Sequence, residues 1–268
     1  MIAVIGCGNM SNAIIKGIHN KYPDEKFLTY TPSHTRAKDL AKAINGKAVN
    51  KLSDLEEAHT LIIACKPQQF DQLVKDFNHA FSLKEKYVIS IMAAINIETL
   101  ERKLETKNIT RVMPNTPALV GNGVSLIYHQ HDLKQELKNL SEMYFQSCSE
   151  VYVLKSEKEF NELTAISGSG PAYLFLFAKG LVEKAKQLGL PESAAKKMVV
   201  ELIQGSTKLI ESAGEKNLDT LISEVTSKGG VTIEAVNIYK EKDLNKITSQ
   251  AVDAAIERSI QISKEFSS

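Results

Sequence analysis

The chain has 268 residues, of which 43% are hydrophobic and 24% are charged, and its 33 basic and 32 acidic residues leave a formal net charge of +1. This composition is typical of a soluble globular protein and excludes a disordered chain or a coiled-coil rod. The even charge balance argues against a surface that binds nucleic acid or an acidic membrane, and the length fits two domains better than one. The longest apolar run, Ala172–Ala178, is far shorter than the roughly 20 residues that span a bilayer.

The cysteines and the N-terminus indicate where the protein works. Cys7, Cys65 and Cys148 are an odd number without Cys-x-x-Cys spacing, which favours buried thiols in a reducing compartment. The chain enters a strand pattern at Met1–Gly6, without the basic segment and cleavage site of a secretory leader. We therefore expect a cytoplasmic protein.

As far as residue 154, short β-branched runs alternate with longer amphipathic stretches. Leu61–Ala64 is apolar at every position, as expected for a strand covered on both faces. The alternation predicts a mostly parallel sheet with right-handed crossovers. The predicted strands are Ile2–Ile5, Lys26–Thr31, Thr60–Ala64, Tyr87–Met92, Thr110–Met113, Gly123–Tyr128 and Glu150–Leu154. The predicted helices are Asn9–Asn20, Thr35–Ile44, Gln69–Phe77, Ile97–Lys103 and Leu133–Gln146.

A glycine loop connects the first predicted strand to the first helix. Gly6 permits the tight turn, and Gly8 lets a pyrophosphate approach the backbone at the positive end of the helix. Ser11 takes the place of a third glycine and is still small enough for close packing. Its position directly after the first strand predicts a dinucleotide-binding loop, and the alternative is a turn whose glycines are purely structural.

The segment after the second predicted strand indicates which nicotinamide cofactor binds. Proteins that bind NAD usually place an acid there to hold the ribose 2′-hydroxyl, but no acid occurs between Phe27 and Lys38. Thr31 and Ser33 offer hydroxyls, and Arg36 is a nearby cation. We therefore predict NADP rather than NAD. The alternative is a solvated loop with a helix cap at Ser33.

Beyond residue 154 the pattern is helical throughout. Helices are predicted to begin near Pro171, to run over about Glu192–Ser212, and to run over about Asp243–Lys264. We place the domain boundary at 154/155, with no flexible linker. The last helices have broad apolar faces, for example Val199, Leu202 and Ile203 or Ile247, Ala251, Ala254 and Ala255. These faces favour a homodimer or a higher homo-oligomer, although packing against the N-terminal domain is an equal alternative.

Four further motifs carry a resemblance to a known family. They are Cys65-Lys-Pro-Gln68, Arg111-Val-Met-Pro-Asn-Thr-Pro117, Ser167-Gly-Ser-Gly-Pro-Ala-Tyr173 and Thr226-Ser-Lys-Gly-Gly-Val-Thr232. In this order, and together with the glycine loop, they resemble pyrroline-5-carboxylate reductase over essentially the whole chain. The resemblance implies an α/β Rossmann domain followed by an all-α C-terminal dimerisation domain. It also implies reduction of Δ1-pyrroline-5-carboxylate to L-proline by hydride transfer from NAD(P)H, the last step of proline biosynthesis.

The resemblance also assigns residues to the two ligands. The cofactor-binding residues are Ile5, Gly6, Cys7, Gly8, Asn9, Met10, Thr31, Ala64, Cys65, Lys66, Pro67, Ile91, Met92 and Ala93. Ser33, whose hydroxyl follows the second predicted strand, is added to them. The substrate-binding residues are Val225, Ser227, Gly229, Gly230, Val231 and Thr232. Lys228 stands where the family usually has proline, which leaves two readings open: a less rigid loop, or an additional charge near the substrate carboxylate.

Thr232 is the candidate catalytic residue. An imine that is protonated, or whose nitrogen is held by a hydroxyl, needs no strong acid, so a threonine suffices where a ketone reductase needs Tyr, Lys or His. The alternative is that Thr232 only caps a helix. Lys66 is expected to contact the cofactor, and Asn115 to fix a turn.

Other functions have weaker support in the sequence. His129 and His131 lack partners at ligand spacing and are expected in a surface loop, so we predict no metal site. A hydroxyacid dehydrogenase of the same architecture needs a catalytic lysine, for which Lys179 and Lys184 are the candidates, neither in a matching motif. A non-catalytic nucleotide sensor would have no need of an intact loop at residues 226–232.

Overall fold

The computed structural model describes residues 1–266, which form two compact units. The first unit comprises Met1–Pro171 together with the chain from Ala255 onward, and the second is Ala172–Ala254. The boundary predicted at 154/155 follows the last strand, whereas the compact first unit continues through one more helix. Where an independently folding domain ends stays a prediction.

An eight-stranded sheet forms the centre of the first unit. Its order is β3-β2-β1-β4-β5-β6-β7-β8, and every neighbouring pair is parallel except β6 and β7. The mostly parallel sheet is thus confirmed. The strands are β1 (Ile2–Ile5), β2 (Phe27–Tyr30), β3 (Lys47–Ala48), β4 (Thr60–Ile63), β5 (Tyr87–Ser90), β6 (Ile109–Met113), β7 (Gly123–His129) and β8 (Ser149–Val153).

Six helices accompany the sheet, and five others follow from Gly170 onward in the described part of the chain. The first six are α1 (Asn9–Lys21), α2 (Thr35–Ala43), α3 (Phe70–Asn78), α4 (Ile97–Leu104), α5 (Gln135–Phe145) and α6 (Glu157–Ser167). The other five are α7 (Gly170–Gln187), α8 (Glu192–Ser212), α9 (Leu218–Glu224), α10 (Val231–Glu241) and α11 (Leu244–Phe266). The α/β half followed by an all-α half agrees with the predicted fold class.

The core of the first unit lies on both faces of the sheet. Ile2 and Val4 of β1 pack into one apolar cluster, and Ala3 and Ile5 pack into the other. A strand buried on both faces is almost entirely apolar, which is why β1 is apolar throughout and β4 contains no charged residue. The sheet is therefore rigid where its strands end, and those ends carry the predicted cofactor residues.

The strand order creates a switch point at β1. The chain passes from β1 to β2 on one side and later returns to β4 on the other, so the loops after β1 and β4 diverge. Open α/β sheets bind ligands in the crevice that forms at the carboxyl ends of such strands. The glycine loop after β1 and the Lys-Pro-Gln motif after β4 both lie at this edge.

The helices of the second unit expose large apolar side chains. On α7, Leu174, Phe175 and Leu176 are 63%, 69% and 72% exposed. A monomer rarely leaves a contiguous apolar patch of this kind in water. The sequence-based expectation of self-association rests instead on α8 and α11, where Leu202 and Ile247 are exposed and Val199 is buried. No helix of the described chain is both long and apolar enough to cross a membrane.

His129 was predicted to lie in a surface loop, and that prediction is wrong. His129 is the last residue of β7 and is buried. Its Nδ1 lies 2.9 Å from the hydroxyl of Thr110, which lies 2.8 Å from the hydroxyl of Tyr87. Burial, with a smaller contribution from Lys138, lowers the pKa of His129 to about 4. His131, two residues later, is exposed, so the surface-loop prediction holds only for that histidine.

This buried histidine predicts that the protein loses stability in mild acid. The histidine of the unfolded chain takes up a proton near the ordinary pKa of about 6.5, whereas the ring in the folded protein stays neutral to about pH 4. The contribution of neutral His129 to the free energy of unfolding is therefore complete above about pH 6.5 and is lost as the pH falls toward 4. Urea unfolding of wild type and of His129→Gln at pH 7 and pH 5 measures how much unfolding free energy each protein loses between the two pH values. We expect the variant to lose about 2 kcal/mol less between the two pH values.

The exposed His131 provides the matched control. His131→Gln removes a histidine of the same type from the surface, and its unfolding free energy should follow the wild-type pH dependence. An identical pH dependence for His129→Gln and wild type would contradict the assignment of a depressed pKa to His129.

Candidate active site

The glycine loop adopts a conformation that only glycine accommodates at its first position. Gly6 has a φ of +96°, and a Cβ there would lie 2.7 Å from the carbonyl carbon and oxygen of Ala64. The tight turn predicted at Gly6 is therefore observed. A Cβ on Gly8 would meet nothing within 4 Å, so the space over this part of the loop is open.

Hydrogen bonds hold the carbonyl of Gly8 toward α1. It accepts from the hydroxyl of Ser11 at 3.0 Å, from Nδ2 of Asn12 at 2.9 Å and from the backbone N–H of Asn12. Gly8 is the N-cap of α1, no side chain caps the helix, and its first turn holds no acid. The first N–H groups of α1 thus remain for an anion, as a pyrophosphate requires. Asn12 was not among the predicted site residues, although an amide in the first helical turn is a signal for such an anchor.

Thr31 follows β2 and carries a buried polar atom without a partner. The residue is 7% exposed, and its Oγ1 has no hydrogen-bond partner among the described residues. A buried hydroxyl without a partner is unfavourable by about 1–3 kcal/mol, so a ligand at this strand end would satisfy it. Ser33 is exposed and does not cap α2, whose N-cap is His34 with a φ of +55°. The alternative of a helix cap at Ser33 is therefore wrong.

The ends of β4 and β5 bring the remaining cofactor candidates of the first unit to the same edge. Sγ of Cys65 lies 3.4 Å from Sδ of Met92 across the two strand ends. Lys66 is exposed and begins the short turn that leads to α3, with its backbone N–H donating to Gln69. Burial raises the pKa of the Cys65 thiol to about 11, so it stays protonated at neutral pH. Ala64, Pro67, Ile91 and Ala93 adjoin these residues in the same two loops.

Asn115 fixes the loop after β6, as predicted. Its Nδ2 donates to the carbonyl of Ser167 at 2.9 Å, and its Oδ1 accepts from the N–H of Val124 at 2.8 Å. Arg111, buried in β6, pairs with Glu157 at the other end of α6. One strand and its loop therefore hold both ends of α6.

The predicted substrate loop forms a tight turn in the second unit. The N–H of Gly230 donates to the carbonyl of Ser227 at 3.0 Å, and Gly229 has a φ of +74°. A positive φ at the third residue of a turn, with a negative φ before it, is the type II geometry that needs glycine. A Cβ on Gly230 would lie 2.4 Å from the rotatable Oγ of Ser227 and 3.1 Å from the Ser227 carbonyl oxygen, so the turn requires glycine at residue 229 and is tight at residue 230.

Thr232 does not cap the helix that follows this turn. Gly230 is the N-cap of α10, and no side chain caps it. Thr232 is the second residue of α10 and is exposed. Its hydroxyl makes no hydrogen bond to any residue within 1–266. The helix-cap alternative is therefore wrong, and the hydroxyl is free for a ligand.

Comparison with known proteins identifies the family. Residues 157–262 match the family described as pyrroline-5-carboxylate reductase dimerisation, and residues 1–94 match the family described as NADP oxidoreductase, coenzyme F420-dependent. A pyrroline-5-carboxylate reductase of Pasteurella multocida is 33% identical, over 99% of this chain and 98% of its own. The chain belongs to the pyrroline-5-carboxylate reductase family.

Solved structures of pyrroline-5-carboxylate reductases share the fold. The enzyme of Coxiella burnetii superimposes with a TM-score of 0.88 at 26% identity, covering 97% of both chains. That of Plasmodium falciparum, solved with NADP bound, gives a TM-score of 0.85 at 28% identity, covering 98% of this chain and 97% of its own. The family resemblance drawn from the motifs is thus confirmed.

Membership of the pyrroline-5-carboxylate reductase family also bears on the other functions considered. Lys179, a candidate for the catalytic lysine of a hydroxyacid dehydrogenase, is exposed and lies 3.6 Å from Glu183 on the next turn of α7. Residues 1–266 hold no group of three or more His, Cys, Asp or Glu that would bind a metal ion.

Proposed function

We propose that this protein reduces Δ1-pyrroline-5-carboxylate to L-proline with NADPH, the final step of proline biosynthesis. The observation that carries the proposal is the similarity to a pyrroline-5-carboxylate reductase over 99% of the chain, which spans both the sheet unit and the helical unit. A nucleotide sensor has no need to keep the turn at residues 227–230, whose geometry requires glycine at residue 229.

The first unit supplies the groups that fit NADP. When bound, the cofactor supplies the hydride. The free N–H groups at the start of α1 suit its pyrophosphate, and the unpartnered hydroxyl of Thr31 suits the ribose 2′-phosphate, with Ser33 and Arg36 close in sequence. The ends of β4 and β5 line the nicotinamide half. Met92 is apolar and buried, and the thiol of Cys65 is protonated at neutral pH. These two side chains therefore exclude water and add no charge.

The second unit supplies the groups that fit the substrate. The N–H groups at the start of α10, around Gly230 and Val231, suit the carboxylate of Δ1-pyrroline-5-carboxylate. The hydroxyl of Thr232 donates a hydrogen bond to the imine nitrogen, which polarises the C5=N bond. Reduction places a hydrogen on C5, and the nitrogen takes its proton from solvent. Val225, Ser227 and Gly229 shape the turn that presents these groups.

The test of the function is direct. Purified protein with NADPH and Δ1-pyrroline-5-carboxylate should consume both and form proline in a 1:1 ratio, followed by NADPH absorbance and by chromatography of the product. Turnover of a 2-hydroxy acid with NADP⁺, without turnover of the imine, would support the dehydrogenase instead.

We further propose that the enzyme is a cytoplasmic homodimer or higher homo-oligomer. The exposed apolar faces of α7 and the match of residues 157–262 to the dimerisation family support self-association. The three cysteines are free, and Cys7 and Cys148 are buried, which suits a reducing compartment. Light scattering at micromolar concentration should give at least twice the 29.6 kDa chain mass. An active monomer would contradict this prediction.

A further inference from the structure

Lys228 occupies the second position of the substrate turn, and its ammonium group has no partner. The residue is exposed, and it makes no ion pair or hydrogen bond with any other residue of the described chain. Its φ is not positive, so with Gly229 at +74° the turn is of type II. Proline is favoured at the second position of a type II turn because its ring fixes φ near the value that the turn needs. Compared with proline, lysine at residue 228 leaves the backbone of the turn less constrained and adds a positive charge.

The charges around the turn make that one cation significant. Lys228 is the one basic residue between Lys216 and Lys240, whereas the same stretch contains Asp219, Glu224 and Glu234. Of these acids, Glu224 is neutralised by Lys216 at 2.6 Å. Along this stretch of sequence Lys228 is thus the one cation without an ion-pair partner in the described chain, and Asp219 and Glu234 are acids that also lack one.

We infer that Lys228 is a specificity-determining residue that attracts the substrate carboxylate to the turn, an inference that rests on the proposed function. Two unit charges several ångströms apart in water interact weakly, by an amount that changes affinity about threefold. The attraction acts equally on the bound substrate and on the transition state, so it lowers KM and leaves kcat unchanged. The same charge does nothing for a cyclic imine without a carboxylate.

Three variants separate charge from rigidity. We expect Lys228→Gln to raise KM for Δ1-pyrroline-5-carboxylate about threefold and Lys228→Glu about tenfold at low salt, with kcat unchanged. Lys228→Pro also removes the charge and restores the preset turn, so it should match Lys228→Gln. The control is Lys208→Gln, which removes one charge from an exposed site on α8 and should leave KM at the wild-type value.

Two conditions check the electrostatic origin. In 0.5 M NaCl, where the Debye length falls to about 4 Å, the KM differences should disappear. With 1-pyrroline, which has the imine and lacks the carboxylate, all variants should give the wild-type KM. Together these results would establish an effect of charge on the carboxylate.

The failures are distinguishable. Wild-type protein that does not turn over Δ1-pyrroline-5-carboxylate contradicts the proposed function and this inference with it. Turnover by wild type with an unchanged KM in Lys228→Gln and Lys228→Glu contradicts the inference alone. A wild-type KM in Lys228→Pro beside a raised KM in Lys228→Gln would show that turn rigidity, and not charge, sets the affinity, which also overturns it.

Discussion

Replacement of Thr232 by valine is expected to lower kcat/KM for Δ1-pyrroline-5-carboxylate by about 30–150-fold, because it removes one directed hydrogen bond worth on the order of 2–3 kcal/mol in the transition state. Valine keeps the shape and β-branching of threonine, so the backbone at the start of α10 is preserved. The hydroxyl makes no hydrogen bond within the described part of the chain, so its loss leaves no internal partner unsatisfied. Steady-state kinetics beside thermal unfolding measures both effects.

Thr232→Ser is the matched control, since serine retains the hydroxyl and loses only a methyl group. It should recover most of the wild-type kcat/KM. The affinity for NADPH, measured by fluorescence titration, should be unchanged in both variants because Thr232 lies at the start of α10, next to the turn assigned to the substrate. Full activity in a folded Thr232→Val protein would show that another group polarises the imine.

The sequence predicted the sheet well where backbone constraints act locally. Gly6 was expected to permit a tight turn, and its φ of +96° beside the backbone of Ala64 is such a turn. Strand β1 was predicted with its observed ends because an apolar run directly before a glycine loop has few alternatives. Strand β3 was missed, since Lys47–Ala48 is two residues long and has no period to detect.

Two helices were missed although their caps were present in the sequence. Helix α6 begins after Ser156, whose hydroxyl accepts from the N–H of Glu159, the spacing of a capping box. Helix α9 begins after Asn217, whose side chain accepts from the N–H of Thr220. A search for capping residues would have found both within the region recognised only as helical.

The burial of His129 was beyond a local interpretation of the sequence. Its hydrogen-bond partner Thr110 is 19 residues away on an antiparallel strand, and the carboxylate of Glu142 lies 3.5 Å from its Nε2 on another element. The free hydroxyl of Thr232 and the orphaned Oγ1 of Thr31 were likewise invisible, because a missing partner is a property of three-dimensional packing. The sequence could name Thr232 only through the family motifs, and Thr31 through those motifs and the missing acid after the second strand.

The sharpest test of the cofactor half is Thr31→Asp. We expect it to lower kcat/KM for NADPH about 100-fold relative to NADH, because a carboxylate at the end of β2 would repel the 2′-phosphate and accept a hydrogen bond from a free 2′-hydroxyl. Thr31→Val is the matched control, since it removes the buried hydroxyl and adds no charge. It should weaken NADPH by a smaller factor than Thr31→Asp does and leave NADH nearly unchanged, as read from kcat/KM and from Kd by fluorescence titration.

The two variants together decide how the protein selects its cofactor. Thr31 is 7% exposed, so an aspartate at this position also needs a hydrogen-bond partner. The ribose 2′-hydroxyl of NADH can donate to the carboxylate, whereas the 2′-phosphate of NADPH is a second anion. NADH should therefore raise the melting temperature of Thr31→Asp more than NADPH does, the reverse of wild type, which is a measure of binding that does not depend on turnover. Equal losses of both cofactors in Thr31→Asp would show that this strand end does not distinguish the phosphate, and that selection lies elsewhere in the first unit.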